Sequence, residues 1–510
     1  MIDDSSLGRP LRKAVATGTV LLALITACSR GAAGRPAAGI NPQPPAPRVA
    51  VAAKPPSPAL ATEFAPVSAL IDRAIAAGKL PGAVVEIGHG GNVAFSQAYG
   101  SRKLGGEPGL DGTPAPAEPA TEDTIFDLAS LTKTIATATA VMQLSERGEV
   151  QIDDPVQQQL PGFNAANDPR RAKVTVRMLL THTSGEPGDV NLGDPWGLDR
   201  ADKAEGIHRA LSTPLESGPG QGFHYSDINF IVLGALIEKV TGETLDVYVQ
   251  QHVFDPLGMT DTHYLPPDKA CGPHTTVGAA IAWAPASSGT APGACPAGTW
   301  STALLPRIAP TARDEEGRAD PGKNPDLDRL LRGTVQDTTA RRMGGVAGHA
   351  GVFSTAHDVG IFAQALLDRL AGRPSQFPLA PDTLALMTTP QQPGHTPQQL
   401  EAANAAARAA AAKRPNTTDP LLAPRYPAIP GQNLRGFGWD IDTGQSTARG
   451  VIFPIGSFGH TGFTGTSLWM DPGSNTYLVL LANSIHTRGS PPMSDLRGEV
   501  ATATARALHL

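Results

Sequence analysis

The sequence predicts an α+β fold, in which one antiparallel sheet is built from both ends of the chain and a mostly helical lobe is inserted between them. Two observations carry this. Alternating apolar runs separated by tight turns lie near residues 82–99 and again near 466–481, and helical periodicities fill much of the interval. A chain of 510 residues can bury one large two-lobed unit of this kind.

Taken in order, the first element stands apart from the fold. Arg9, Arg12 and Lys13 form a positive start, and residues 14–27 are an apolar stretch too short for a comfortable membrane span. It ends in Ile25-Thr26-Ala27-Cys28, which resembles a bacterial lipobox. The expectation is therefore a lipoprotein signal peptide over 1–28 with Cys28 acylated, placing the protein in the cell envelope, facing the periplasm or the cell exterior. Residues 29–61 are rich in Pro and Ala, as in a semi-rigid spacer. The folded domain is expected over 62–510. Phe64, Val67, Leu70, Ile71 and Ile75 repeat at helical spacing before Gly78. A hairpin follows, turning at His89-Gly90-Gly91-Asn92. A second one turns at Asp471-Pro472-Gly473-Ser474, and residues 494–508 read as a last helix. Residues 266–326 and 391–430 read as surface insertions, the second with an Ala-rich run at 402–412 that suits a helix. In an exported protein, Cys271 and Cys295 are expected to form a disulfide.

The net charge of −6 and an aromatic content of 5% offer no basic, stacking surface for nucleic acid. The thirteen histidines show no metal-ligand spacing, and there is no Gly-x-Ser-x-Gly elbow. No metal or other cofactor is expected. The chemistry concentrates elsewhere. Residues 124–148 read as a helix closed by Gly148, with Ser130 at its start and Lys133 one turn on. A hydroxyl becomes a nucleophile when a neighbour takes its proton, and a helix N-terminus favours developing negative charge. The same pair alone also suits an N-cap serine with a solvated lysine. Two later strings add weight. Tyr225-Ser226-Asp227 precedes an apolar helix over 230–240, and His460-Thr461-Gly462 precedes the late hairpin. A tyrosine can shuttle protons. A glycine lets a strand approach a ligand, and the Phe463 N–H beside that of Ser130 would make an oxyanion hole.

The order Ser-x-x-Lys, Tyr-x-Asp, His-Thr-Gly resembles the class C β-lactamase-like group, which includes DD-peptidases, D-amino-acid peptidases and some esterases; the class A pattern is Ser-x-x-Lys, Ser-Asp-Asn, Lys-Thr-Gly. Leu179-Leu180-Thr181-His182-Thr183-Ser184-Gly185 and Phe254-Asp255-Pro256-Leu257-Gly258-Met259 fit the same group. The runs 345–354 and 457–465 look closer to low-molecular-weight, carboxypeptidase-like penicillin-binding proteins. The resemblance spans about residues 64–508 and implies a β-lactamase/transpeptidase-like fold. It implies acylation of Ser130, proton movement by Lys133 and Tyr225, and substrate contact by Asp227, His460, Thr461, Gly462 and Phe463. Two departures matter. Asp227 stands where the group usually has Asn, so an acceptor-only carboxylate replaces an amide. His460 stands where β-lactamases have Lys, and a histidine is charged only part of the time near neutral pH. Both shift the expectation from a β-lactamase towards a DD-carboxypeptidase or esterase. The substrate expected is a small peptide, ester or β-lactam, with peptidoglycan as a partner and the membrane reached through the lipid anchor. A peptidoglycan-binding lipoprotein with an inactive cleft is the alternative that Asp227 encourages.

Overall fold

A computed structural model describes residues 62–284, 295–318, 320–391, 433–490 and 493–510. The expectations for Cys28, the signal peptide, the spacer at 29–61 and the helix at 402–412 lie outside these residues.

Helix α1 (Ala65–Ala76) buries Val67, Leu70, Ile71 and Ala74. It leads into β1 (Gly82–His89) and β2 (Asn92–Lys103), with Gly90 and Gly91 at φ +61° and +87° in the turn. Strand β3 (Glu118–Pro119) pairs with β2 at one edge. The remaining strands come from the far end of the chain: β4 (Leu434–Arg435), β5 (Asp440–Asp442), β6 (Phe458–Thr461), β7 (Ser467–Asp471) and β8 (Thr476–Ala482). The sheet order is β4-β5-β6-β7-β8-β1-β2-β3, antiparallel throughout. Its two halves join at β8 and β1, where Val84 faces Leu481 and Val85 faces Leu480.

Strand alternation sorts side chains between two layers. Ala83, Val85, Ile87, Leu478, Leu480 and Ala482 pack with α1 and the last helix, Ser494–Ala507. Val84, Val479 and Leu481 face the main core with the helical lobe. At the centre of that lobe is Asp227–Thr241, apolar all round and buried from Ile228 to Ile237, as an enclosed helix must be. It ends at Gly242, φ +74°.

Two expectations need correction. Residues 124–148 are not one helix. Phe126–Asp127 is a strand, paired with Val352–Ser354, which pairs in turn with His263–Tyr264. The helical part follows Ser130 and opens with a π turn, Lys133–Ala138, before the α segment Thr139–Glu146. The Thr139 hydroxyl donates to Thr134 O, five residues back, which suits the wider winding. Nor is 266–326 merely superficial: Ile281, Trp300, Leu305 and Ile308 belong to the main core. Within this stretch Cys271 and Cys295 form a disulfide, with Cα atoms 5.8 Å apart.

Candidate active site

The strand Phe126–Asp127 ends in a tight turn that presents Ser130. Asp127 Oδ1 accepts from Ala129 N at 3.0 Å, and Ala129 adopts φ +48°. The opposite wall is stitched to this turn. Thr464 Oγ1 donates to Asp127 O at 2.7 Å and Thr466 Oγ1 to Leu128 O at 2.9 Å. Gly462 is required here, because a Cβ would lie 2.4 Å from Leu128 O. Phe463 follows, with its side chain 73% exposed. Among the described hydrogen bonds, neither Ser130 N–H nor Phe463 N–H has a protein acceptor.

Lys133 is fully buried beneath Ser130. Its Nζ donates to Ser130 Oγ at 2.9 Å and to His349 O at 3.0 Å, and meets Asp227 Oδ1 at 2.6 Å. An ammonium has three N–H groups, so these three acceptors satisfy it. Burial disfavours the charge, but Asp227 and Tyr225 outweigh burial and hold the lysine pKa above its ordinary value. Lys133 is therefore an ammonium and has no lone pair to act as a base. The Tyr225 hydroxyl contacts both Ser130 and Lys133. Burial pushes its pKa up, so it rests as a neutral phenol, suited to shuttling a proton and not to acting as a standing phenolate.

The sequence motifs thus converge: Ser130, Lys133, Tyr225 and Asp227 form one cluster, with His460, Thr461, Gly462 and Phe463 alongside it. His460 differs from expectation. It is 2% exposed, and its Nδ1 donates to Thr461 O at 2.8 Å. Burial, with Arg435 and Lys133 nearby, pulls its pKa well below the ordinary histidine range, so it stays neutral and is no cation for a substrate carboxylate. Asn229 does not replace the missing amide. It is buried, with Oδ1 accepting from Ser184 Oγ at 2.5 Å and Nδ2 set 3.3 Å from His182 Nδ1.

His182 was not singled out by the sequence. Its ring stacks on Tyr225, with centroids 4.4 Å apart. Nδ1 accepts from Ser226 N at 3.1 Å, and burial keeps the ring neutral. Its φ of +56° is unusual for a non-glycine residue and aims the ring at the phenol. The Thr-His-Thr-Ser-Gly run was its signal. Among the described residues no group of three or more His, Cys, Asp or Glu is placed to hold a metal, and no helix is long and apolar enough to cross a membrane.

A serine at a helix start, an ammonium beneath it, a phenol beside it and free N–H groups opposite define an acyl-transferring serine hydrolase on an α+β scaffold. The chain belongs to the Beta-lactamase family, whose sequence profile matches residues 67–502. It is 28% identical over 416 residues to an Escherichia coli K12 protein described as "Putative D-alanyl-D-alanine carboxypeptidase", covering 79% of this chain and 78% of that one. It is 30% identical over 433 residues to a Bacillus subtilis protein named N-acetylmuramyl-L-alanine amidase, covering 82% and 81%. The fold matches the octameric penicillin-binding protein homologue from Pyrococcus abyssi with a TM-score of 0.54 at 20% identity, over 87% of this chain and 77% of that one.

Proposed function

We propose that this enzyme is a serine DD-carboxypeptidase that hydrolyses D-amino-acid peptides of the cell wall, and that Cys28 tethers it by a lipid anchor to the envelope. The observation that carries the reading is the contact of Ser130 Oγ with the Lys133 ammonium, with the Tyr225 phenol in reach of both.

Ser130 Oγ attacks the scissile carbonyl carbon. The serine proton passes to the Tyr225 oxygen as the phenol gives its own proton to the leaving nitrogen. The Lys133 charge steadies the anionic character that develops on Oγ, and the N–H groups of Ser130 and Phe463 receive the carbonyl oxygen. The amine departs and Ser130 holds the acyl group as an ester. Water then attacks that ester, giving its proton to Tyr225 while Tyr225 returns one to Ser130. The Asp227 and His460 departures, and the carboxypeptidase name of a relative, favour a peptide over a β-lactam as the natural substrate.

The test is intact-mass analysis after incubation with penicillin, a fluorophosphonate and a peptide ending in D-Ala-D-Ala. Ser130 should carry the adducts and free D-alanine should appear; Ser130→Ala should abolish both. Labelling of a different serine, or turnover of a short ester with no peptide cleavage, would overturn the reading. The anchor is checked separately: Cys28→Ala should release the processed protein from membranes, and a variant that stays bound after processing would end the lipoprotein assignment.

A further inference from the structure

Beneath Lys133 lies a second charged pair, made by His349 of the run 345–354 and by Asp337, which none of the motifs includes. The Lys133 ammonium rests on the main-chain carbonyl of His349 at 3.0 Å. The His349 ring is fully buried, and its Nε2 lies 2.8 Å from Asp337 Oδ1. Two contacts fix this backbone. Thr137 Oγ1, one turn beyond Lys133, donates to Gly348 O at 2.6 Å. Gly348 itself fits where a Cβ would lie 2.0 Å from Phe230 O. Asp337 is held as well, with Oδ1 accepting from Ala340 N at 2.8 Å as a helix N-cap.

The surroundings are rich in carboxylates. Asp227 comes from the start of the central helix, Asp337 from the N-cap of the short helix Thr338–Arg342, Asp189 from the loop after Val176–Leu180, where it accepts from Thr339 Oγ1 at 2.9 Å, and Asp127 from the serine strand. Lys133 and His349 are the positive partners nearest the serine, while Arg341, itself paired with Asp314 at 2.7 Å, also bears on Asp127. One lysine cannot neutralise both Asp227 and Asp337, and an uncompensated anion is costly even where it is only half-buried, as both of these are.

We propose that His349 is a positioning residue for the Ser130–Lys133 couple: its carbonyl seats the ammonium, and its imidazolium cancels the Asp337 charge so that Lys133 answers to Asp227 and Ser130 alone. Burial disfavours the charged ring, but Asp337 and Asp227 raise its pKa, with Lys133 opposing them. As pH climbs through that value, the ring loses its proton and Asp337 is left uncompensated beside the site. The local field then turns negative, which opposes the anion forming at Ser130.

The inference rests on the acyl-enzyme reading, and its test separates the two. The rate of fluorophosphonate labelling at Ser130 is followed against pH in the full chain. His349→Gln should slow labelling roughly tenfold or more while the parent ring is charged, with the deficit shrinking at high pH, where the parent ring is neutral too. The double variant His349→Gln/Asp337→Asn removes the stranded anion and should recover most of the rate, a rescue that lost packing would not give. Asp337→Asn alone keeps the helix cap and should flatten the alkaline limb, so it serves if the histidine variant does not fold. A double variant as slow as the single one, or an alkaline limb unchanged in Asp337→Asn, overturns the role of His349. A parent chain that labels at no serine overturns the acyl-enzyme reading, and this role with it.

Discussion

Asp227 decides what Lys133 can do. With its carboxylate oxygen 2.6 Å from Nζ, it holds the lysine as an ammonium and leaves the proton traffic to Tyr225. Asp227→Asn removes the anion and supplies an amide donor. The lysine pKa, now raised by Asp227, should fall. The alkaline limb of kcat/KM, set by loss of that ammonium, should then move to lower pH by about one unit or more, and penicillin should label Ser130 faster. An unchanged profile together with an unchanged labelling rate would show that the ion pair does not govern the reaction. At this scale the sequence was informative only where residues sit in short strings. Ser130, Lys133, Tyr225, Asp227 and the run 460–463 were legible because spacing puts them at element ends. His182 and His349 lay in runs noted for their resemblance but were given no role, and Asp337 lay in none, since each reaches the cluster from a distant part of the chain. The neutrality of His460 was hidden for a similar reason: it follows from burial and from Arg435, which arrives on β4.

At the scale of elements, the hairpins were legible because alternating burial and glycine turns are local properties, while the π turn after Ser130 depends on contacts along the buried lobe. The loop that carries His182 shows how such a contact can govern stability. Glu186, in that loop, is fully buried 3.1 Å from Arg171. Burial pushes its pKa up to about 7, and Arg171 only partly offsets this. The folded state thus holds this proton more tightly than the unfolded chain does. Its stabilising contribution is complete below the unfolded carboxylate pKa and is lost as pH rises through about 7. Thermal unfolding should therefore show the parent gaining stability between pH 8 and pH 5, by on the order of 2 kcal/mol from this group. Glu186→Gln should flatten that gain. A variant with the same pH dependence as the parent would place the protonation elsewhere.

On the scale of the molecule, the sheet is closed by a pairing between its ends: Ala83 is aligned with Ala482 and His89 with Thr476. Contacts across so much chain must overcome loop-closure entropy before they stabilise anything, so folding should be slow for the size of the domain. Both layers depend on this seam, since β8 contributes Leu480 to one and Leu481 to the other. A chain ending before Thr476 should lack protease resistance and Ser130 labelling alike, and limited proteolysis checks this directly; a truncated chain that resists digestion would refute the dependence. The seam also sets a schedule for the ribosome. While the polypeptide is still being made, its early strands have no partner for their exposed edge, and β1 waits for a neighbour encoded hundreds of residues later. Until β8 emerges the chain cannot lock, so it stays threadable through a narrow pore for nearly the whole of its synthesis.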